Sequence, residues 1–254
     1  MTTHSKIALI TGGSRGLGRN TALHLADKGV DTIITYKSSK AEAEQVVAEI
    51  IAKGAKSVAL QLDTTDTSSF TGFADQLKTT LNETWERGQI DHLVNNAGIG
   101  INKPFAETTE EDFDLMMNMH VKGVFFLTQK LLPIIADGGH ILNISSGLAR
   151  FSLPGYAAYA TMKGAVEVLT RYLAKELGPR RIAVNSFAPG AIETDFGGGA
   201  VRDNADINKA VASMTAMGRV GLPDDIGGAI SSILAGDMGW MTGQRIEASG
   251  GMNL

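Results

Sequence analysis

A tyrosine and a lysine four residues apart, in Tyr159-Ala160-Thr161-Met162-Lys163, form the pairing with the most chemical content in this chain. On a helix, positions i and i+4 share a face. A free phenol ionises near pH ~10 and a lysine near ~10.4. An ammonium beside the phenol, with a second positive charge close by, favours phenolate and lowers that value. A fall of ~2–3 units would suit Tyr159 to donate a proton in one direction and accept it in the other. Such pairs also occur on amphipathic helices for packing alone, so further residues must support the reading. Ser146 does so. It closes a strand-like run, Asn143-Ile144-Ser145-Ser146-Gly147, and its hydroxyl can hydrogen-bond a carbonyl oxygen as charge develops there. Ser145 is the competing serine, expected to face the core or a cofactor. No Gly-x-Ser-x-Gly elbow surrounds either serine, which argues against a hydrolase.

A second group of residues has the makings of a phosphate site. Thr11-Gly12-Gly13-Ser14-Arg15-Gly16-Leu17-Gly18 joins an apolar run to a helical pattern. Its glycines permit close backbone approach, and free N–H groups at a helix start attract an anion. The Lys-Ser/Thr of a nucleoside triphosphate loop is missing. A tight turn with no ligand is the plain alternative. The next strand runs out through Tyr36, Lys37 and Ser38 without the carboxylate that selects NAD by binding ribose hydroxyls. Arg15, Lys37 and Ser38 instead suit a 2′-phosphate, so NADP(H) is the expected cofactor. Lys37 taken alone reads equally well as a solvated loop charge. Asp63, followed by Thr64, ends the third strand and is read as an acceptor for an adenine amino group. A helix cap by Asp63, Asp66 or Thr67 is the alternative.

Elements that position these groups follow from apolar periodicity. Lys6–Thr11, Asp31–Tyr36, Ser57–Leu62, Ile90–Asn95, Gly139–Ser145, Ile182–Phe187 and Arg245–Ala248 read as strands. Leu17–Lys28, Ala41–Lys53, Ser68–Glu86, Glu110–Ile135, Tyr156–Leu177 and Asp225–Ala235 read as helices. The alternation predicts one α/β domain over residues 1–254, a doubly wound parallel sheet of about seven strands with helices on both faces. Its ligand edge lies beyond the C-terminal ends of the strands. The Gly loop, Asn95-Asn96-Ala97-Gly98, Ser145-Ser146 and Pro189-Gly190 all fall there. Residues 195–219 read as a mobile substrate lid. Phe151, Leu153, Tyr156, Phe196, Met214 and Met217 are candidate apolar walls, with core or interface packing as the alternative.

Composition narrows the classes. The 254 residues are 43% hydrophobic and 20% charged, with formal net charge −4 and no cysteine. No basic stripe suggests nucleic acid. Thiol chemistry is excluded, and the histidines His4, His24, His92, His120 and His140 show no metal-ligand spacing. The N-terminal Met-Thr-Thr-His-Ser-Lys and the short run after it do not read as a signal peptide. With no apolar stretch of ~20 residues, a cytoplasmic enzyme without a membrane span is expected.

Taken in order, these motifs resemble the short-chain dehydrogenase/reductase family, most closely its 3-oxoacyl carrier-protein reductase-like members. The resemblance rests on the Gly loop, Asn95-Asn96-Ala97-Gly98, Ser146 thirteen residues before Tyr159, Lys163, and Pro189-Gly190 with Ile192 and Thr194. It implies a Rossmann sheet and hydride transfer between NADP(H) and a carbonyl or secondary alcohol. Tyr159 would be the acid/base and Ser146 would polarise the carbonyl. Lys163 would bind the ribose hydroxyls. The loop residues Gly12, Ser14, Arg15, Gly16, Leu17 and Gly18 would hold the pyrophosphate. Asn95, Ala97 and Gly98 would line the adenosine side, Pro189, Gly190, Ile192 and Thr194 would lie by the nicotinamide, and Asn185 would be structural. A homotetramer is implied, with interfaces around Val121–Leu132 with Ala157–Leu177, and around Trp240–Arg245. The substrate, whether a 3-oxoacyl thioester, small ketone, sugar or steroid, stays open. One position departs from the family: His120, in His120-Val121-Lys122-Gly123-Val124-Phe125, stands where an asparagine is usual. That asparagine holds a water in a proton relay. His120 is expected to hold the same water, adding a titration between pH ~5 and ~8. A structural substitute, or compensation by Asn118, is the alternative. A catalytically silent NADP-binding regulatory or scaffold protein is the competing function class.

Overall fold

The computed structural model describes residues 5–236 and 238–254; the N-terminal reading and His4 lie outside the described residues. Seven strands form one parallel sheet in the order β3-β2-β1-β4-β5-β6-β7. They are β1 (Ile7–Ile10), β2 (Asp31–Tyr36), β3 (Ser57–Gln61), β4 (Ile90–Asn95), β5 (Ile135–Ile144), β6 (Ala183–Pro189) and β7 (Arg245–Ala248). Strand order reverses between β1 and β4, which opens a crevice at their C-terminal ends.

Helices α1 (Gly16–Ala26), α2 (Lys40–Ala52) and α3 (Phe70–Trp85) follow the first three strands. Then come α4 (Glu110–Met117), α5 (Gly123–Leu131), α6 (Ala157–Leu177), the short α7 (Ala200–Asp203), α8 (Ala205–Ser213) and α9 (Pro223–Ala235). The strands are apolar on both faces because both faces are covered. Ile7, Leu9, Leu93 and Ile141 pack against α3, α5 and α6. Ala8, Ile10, Val94 and Leu142 pack against α1, α2 and α9. Among the described residues, no helix is long and apolar enough to cross a membrane.

One expected helix is broken. Residues Glu110–Ile135 form α4, a wide π turn over Asn118–Lys122, α5, and a 3-10 turn at Leu132–Ile134. In the π turn the Gly123 N–H reaches back five residues to the Asn118 carbonyl. Gly123 also lies directly on the Thr64 carbonyl, where a side chain would collide. That contact joins residues far apart in the sequence. Pro133, which lacks an N–H, ends the helical run, so β5 starts at Ile135 rather than the expected Gly139.

Candidate active site

The Gly loop is fixed from two sides. The Thr11 hydroxyl accepts from the backbone N–H groups of Asn96 and Ala97, each at 2.9 Å. The Asn96 amide donates to the Thr11 and Gly12 carbonyls at 2.8 and 3.2 Å. From β2, Thr35 accepts from Gly12 and Gly13 at 3.2 and 2.8 Å. Gly12 and Gly16 have φ of +66° and +55°. A Cβ on Gly18 would stand 2.3 Å from the Gly12 carbonyl, so the helix start presses against the loop. Arg15 precedes α1 with no side-chain cap. The N–H groups of a helix start therefore face a cradle that side chains would fill, which fits a pyrophosphate.

At the adenosine end the structure changes the roles. Lys37 and Asp63 were read as separate ligands, but Lys37 Nζ lies 2.8 Å from the Asp63 carboxylate. Asp63 also accepts from the Thr65 N–H and hydroxyl at 2.9 and 2.6 Å. Partial burial would raise the Asp63 carboxyl, but the hydrogen bonds from Lys37 and Thr65 hold it below its usual range. Asp66, not Asp63, caps the following turn, accepting from Ser68 N at 3.0 Å. Arg15, exposed, makes no ion pair among the described residues. Tyr36 packs on the apolar core and Ser38 is exposed beside Lys37. Two expected side-chain ligands turn inward. Asn95 donates to Asn143 and Thr128 at 2.8 and 3.1 Å, and the Thr64 hydroxyl meets Met119 sulfur at 3.0 Å.

Ser146, Tyr159 and Lys163 converge beyond the end of β5. Tyr159 and Lys163 are 6% and 4% exposed. Lys163 Nζ stands 5.4 Å from the centre of the Tyr159 ring and donates to the Ile144 carbonyl at 2.8 Å. Ser145 is removed from the chemistry, its hydroxyl donating to Glu167 at 2.6 Å. The expected fall in the Tyr159 pKa is not what the protein alone produces. Burial raises it well above the ordinary phenol value, opposed by the Ser146 hydroxyl. Burial also pushes Lys163 down to about 7. The protein thus holds the phenol as a neutral proton donor.

His120, on the π turn, is buried with its ring edge-on to Tyr159, centres 5.4 Å apart. Its Nε2 lies 2.8 Å from the Ile99 carbonyl, while Nδ1 has no partner among the described residues. A Cβ on Gly98 would come within 2.8 Å of the imidazole, so Gly98 makes room for His120. Burial, then the Lys163 charge, hold the imidazole well below its ordinary pKa. The expected titration between pH ~5 and ~8 is therefore moved toward lower pH, which favours the neutral imidazole. The Asn118 backbone carbonyl accepts from the Gly123 N–H.

At the nicotinamide end, Pro189 closes β6 and Gly190 abuts Ser249, which leaves no space for a side chain. Ile192 bridges to Gly221, and the buried Thr194 accepts from Phe196 N at 3.2 Å. Residues 195–219 carry a 3-10 turn, α7 and α8. Of the candidate walls, Phe196 sets its ring 5.7 Å from that of Tyr159, and Tyr156 joins the same cluster. Phe151 and Met214 pack in a separate cluster that Leu153 also joins, and Met217 is 70% exposed.

Comparison with known proteins now bears on this geometry. A family described as enoyl-(acyl carrier protein) reductase matches residues 12–253. A hydroxynaphthalene reductase-like protein of Metarhizium brunneum is 35% identical, over 97% of this chain and 94% of its own. The chain belongs to the short-chain dehydrogenase/reductase family. Two solved members extend the match. The promiscuous reductase LugOII, which catalyses a keto-reduction at C1 during lugdunomycin biosynthesis, has TM-score 0.92 and 36% identity, covering 98% of each chain. The angucycline C-6 ketoreductase LanV, solved with bound NADP, has TM-score 0.92 and 33% identity, covering 98% of this chain and 95% of its own. This short-chain dehydrogenase/reductase is an oxidoreductase acting between C=O and CH–OH.

Sequence reasoning overlooked Asn96 as a residue with its own task. Alternation along β4 carries the signal: Leu93 and Asn95 share the inward face, leaving Asn96 to turn toward the loop. Asn185 is structural as expected, bonding Met241 O and Gln244 N at 2.6 and 2.9 Å.

Proposed function

We propose that this enzyme uses NADP(H) to interconvert a ketone on a planar fused-ring skeleton and its secondary alcohol. The observation that carries the reaction is the convergence of buried Tyr159 and Lys163 with the half-buried Ser146 at the C-terminal edge of the sheet. When bound, the reduced nicotinamide supplies the hydride. The Tyr159 O–H gives its proton to the carbonyl oxygen as the carbon takes the hydride, and an alcohol results. Ser146 donates a hydrogen bond to the same oxygen. Lys163 binds ribose hydroxyls, and its charge eases the departure of the phenol proton. With no partner for its Nδ1 among the described residues and its proton assigned to Nε2, His120 is suited to hold a water that returns a proton toward Lys163 and Tyr159. Arg15, Ser38 and Lys37 take the 2′-phosphate, with Lys37 shared with Asp63.

The ring-ketone assignment is supported by the Phe196 ring, tilted 57° to that of Tyr159 with centres 5.7 Å apart, and by the reductions named for the relatives. Aromatic faces stack favourably on planar rings. A neighbouring cleft of about 560 Å³, lined by Phe105, Leu148, Leu153 and Tyr156 among others, gives space for such a skeleton. Residues 195–219, whose Phe196 ring meets Tyr159, are assigned as the lid over the catalytic residues. Exposed Phe125, Phe126, Val168 and Tyr172 on α5 and α6 support a homotetramer, which light scattering would measure. A cytoplasmic site of action, where reduced cofactor is available, belongs to the same reading.

NADPH oxidation with a ketone panel tests it. A fused-ring ketone such as a tetralone should exceed an acetoacetyl thioester, a hexose and a steroid ketone by about tenfold in kcat/KM. Preference for any of the others would overturn the substrate class. Tight NADPH binding with no turnover of any carbonyl would favour the regulatory alternative.

A further inference from the structure

Ser146 is held in place by residues outside the catalytic set. Its backbone carbonyl accepts from Arg245 Nη2 at 3.2 Å. The Ser145 hydroxyl donates to Glu167 Oε1 at 2.6 Å, and Arg245 Nε donates to that same oxygen at 2.8 Å. Glu167 lies one helical turn beyond Lys163 on α6. The Arg245 and Glu167 side chains are only 23% and 14% exposed, so the pair is partly shielded from water.

The network continues outward. Arg245 Nη1 bonds Glu247, whose carboxylate also accepts from Arg150 Nε and Nη2 at 2.9 and 2.7 Å. Arg150 then donates to the Asn253 and Met252 carbonyls at 2.9 and 2.8 Å. This C-terminal tail is joined to the end of the lid: Ala216 N and Met217 N donate to the Gly251 and Gly250 carbonyls at 3.2 and 3.0 Å. Hydrogen bonds, joined through the backbone of residues 250–253, thus connect Ser146 to residues 216–217.

We propose that Arg245, braced by Glu167 and Glu247, is a positioning residue that fixes the Ser146 hydroxyl against the substrate carbonyl. Arg150 and the tail link that position to the lid. The proposal rests on Ser146 acting as the carbonyl donor described above. Displacing a donor by about 1 Å can cost on the order of a hundredfold in rate. A brace should therefore affect kcat strongly and cofactor affinity little.

A double-mutant cycle on the full chain tests this, with NADPH and the best ketone of the panel. Arg245→Met should lower kcat by about 10- to 100-fold and leave the Kd for NADPH within about threefold. Arg245→Lys should recover part of the rate. In a Ser146→Ala background, Arg245→Met should add little, because the group it positions is gone. Multiplying defects, with Ser146→Ala itself impaired, would overturn the positioning role alone. Full activity in Ser146→Ala would remove the Ser146 assignment and the brace together. Should Arg245→Met not fold, Glu167→Gln keeps the side-chain shape, weakens the pair and is read by the same cycle.

Discussion

The Nε2 of His120 lies 2.8 Å from the carbonyl oxygen of Ile99, which can only accept, so the tautomer that suits this contact carries its proton on Nε2. Nδ1 is left as an unprotonated acceptor inside the site. His120→Asn should keep turnover within about threefold, since an amide can both donate and accept. His120→Ala should lower kcat by about tenfold or more while sparing NADPH affinity. Because burial and Lys163 hold the imidazole neutral, wild type and His120→Asn should have the same pH–rate profile between pH 5 and 8. An unchanged rate per folded molecule in the alanine variant, with a lowered Tm, would assign His120 to packing. An added titration in wild type would contradict its neutrality.

Cofactor choice should depend on Arg15 and on the Lys37–Asp63 pair. A charge-assisted hydrogen bond is worth roughly 1.5–3 kcal/mol, so Arg15→Ala should weaken NADPH by about tenfold or more and NADH far less. Asp63→Asn frees Lys37 and should widen the NADPH/NADH affinity ratio. Side-by-side titrations check both; a ratio unmoved by either change would place the 2′-phosphate elsewhere.

Acid should weaken the fold through His92. This buried imidazole has no hydrogen-bond partner among the described residues and packs on His140, ring centres 5.4 Å apart. Burial, then the His140 and Lys6 charges, push its pKa down to about 3. The unfolded chain takes up a proton near pH ~6.5 that the native state refuses until far lower. Its contribution to stability is full above ~6.5 and is lost as pH falls toward 3, by up to ~1.4 kcal/mol per pH unit. Urea melts at pH 7.5 and 5 should show a smaller drop for His92→Leu than for wild type. Equal drops would mean that other groups govern the acid limit.

Much of this architecture was legible because doubly buried parallel strands are nearly continuous apolar runs, as in Ile7–Ile10 and Ala183–Pro189. The break in Glu110–Ile135 was not. Its composition stays helical throughout, and the π turn forms where Gly123 meets Thr64. The site divides in the same way. Residues at strand ends, such as Ser146, could be located from position alone. The union of Lys37 with Asp63 depends on the pairing of β2 with β3, and that of Ser146 with Arg245 on β5 and β7, which flank β6. For Tyr159, local spacing shows the lysine but not how deeply both groups are buried, so the rise that the protein alone produces was not legible.

Proton delivery by Tyr159 is the central claim, and Tyr159→Phe tests it most directly. The ring should still pack against His120 and Phe196, so the site keeps its shape. Single-turnover oxidation of NADPH by the ketone, with NADPH affinity measured on the same sample, separates chemistry from binding. The expected result is a loss of at least about a thousandfold in hydride-transfer rate with the Kd for NADPH within about threefold. A rate within a fewfold of wild type would contradict the account.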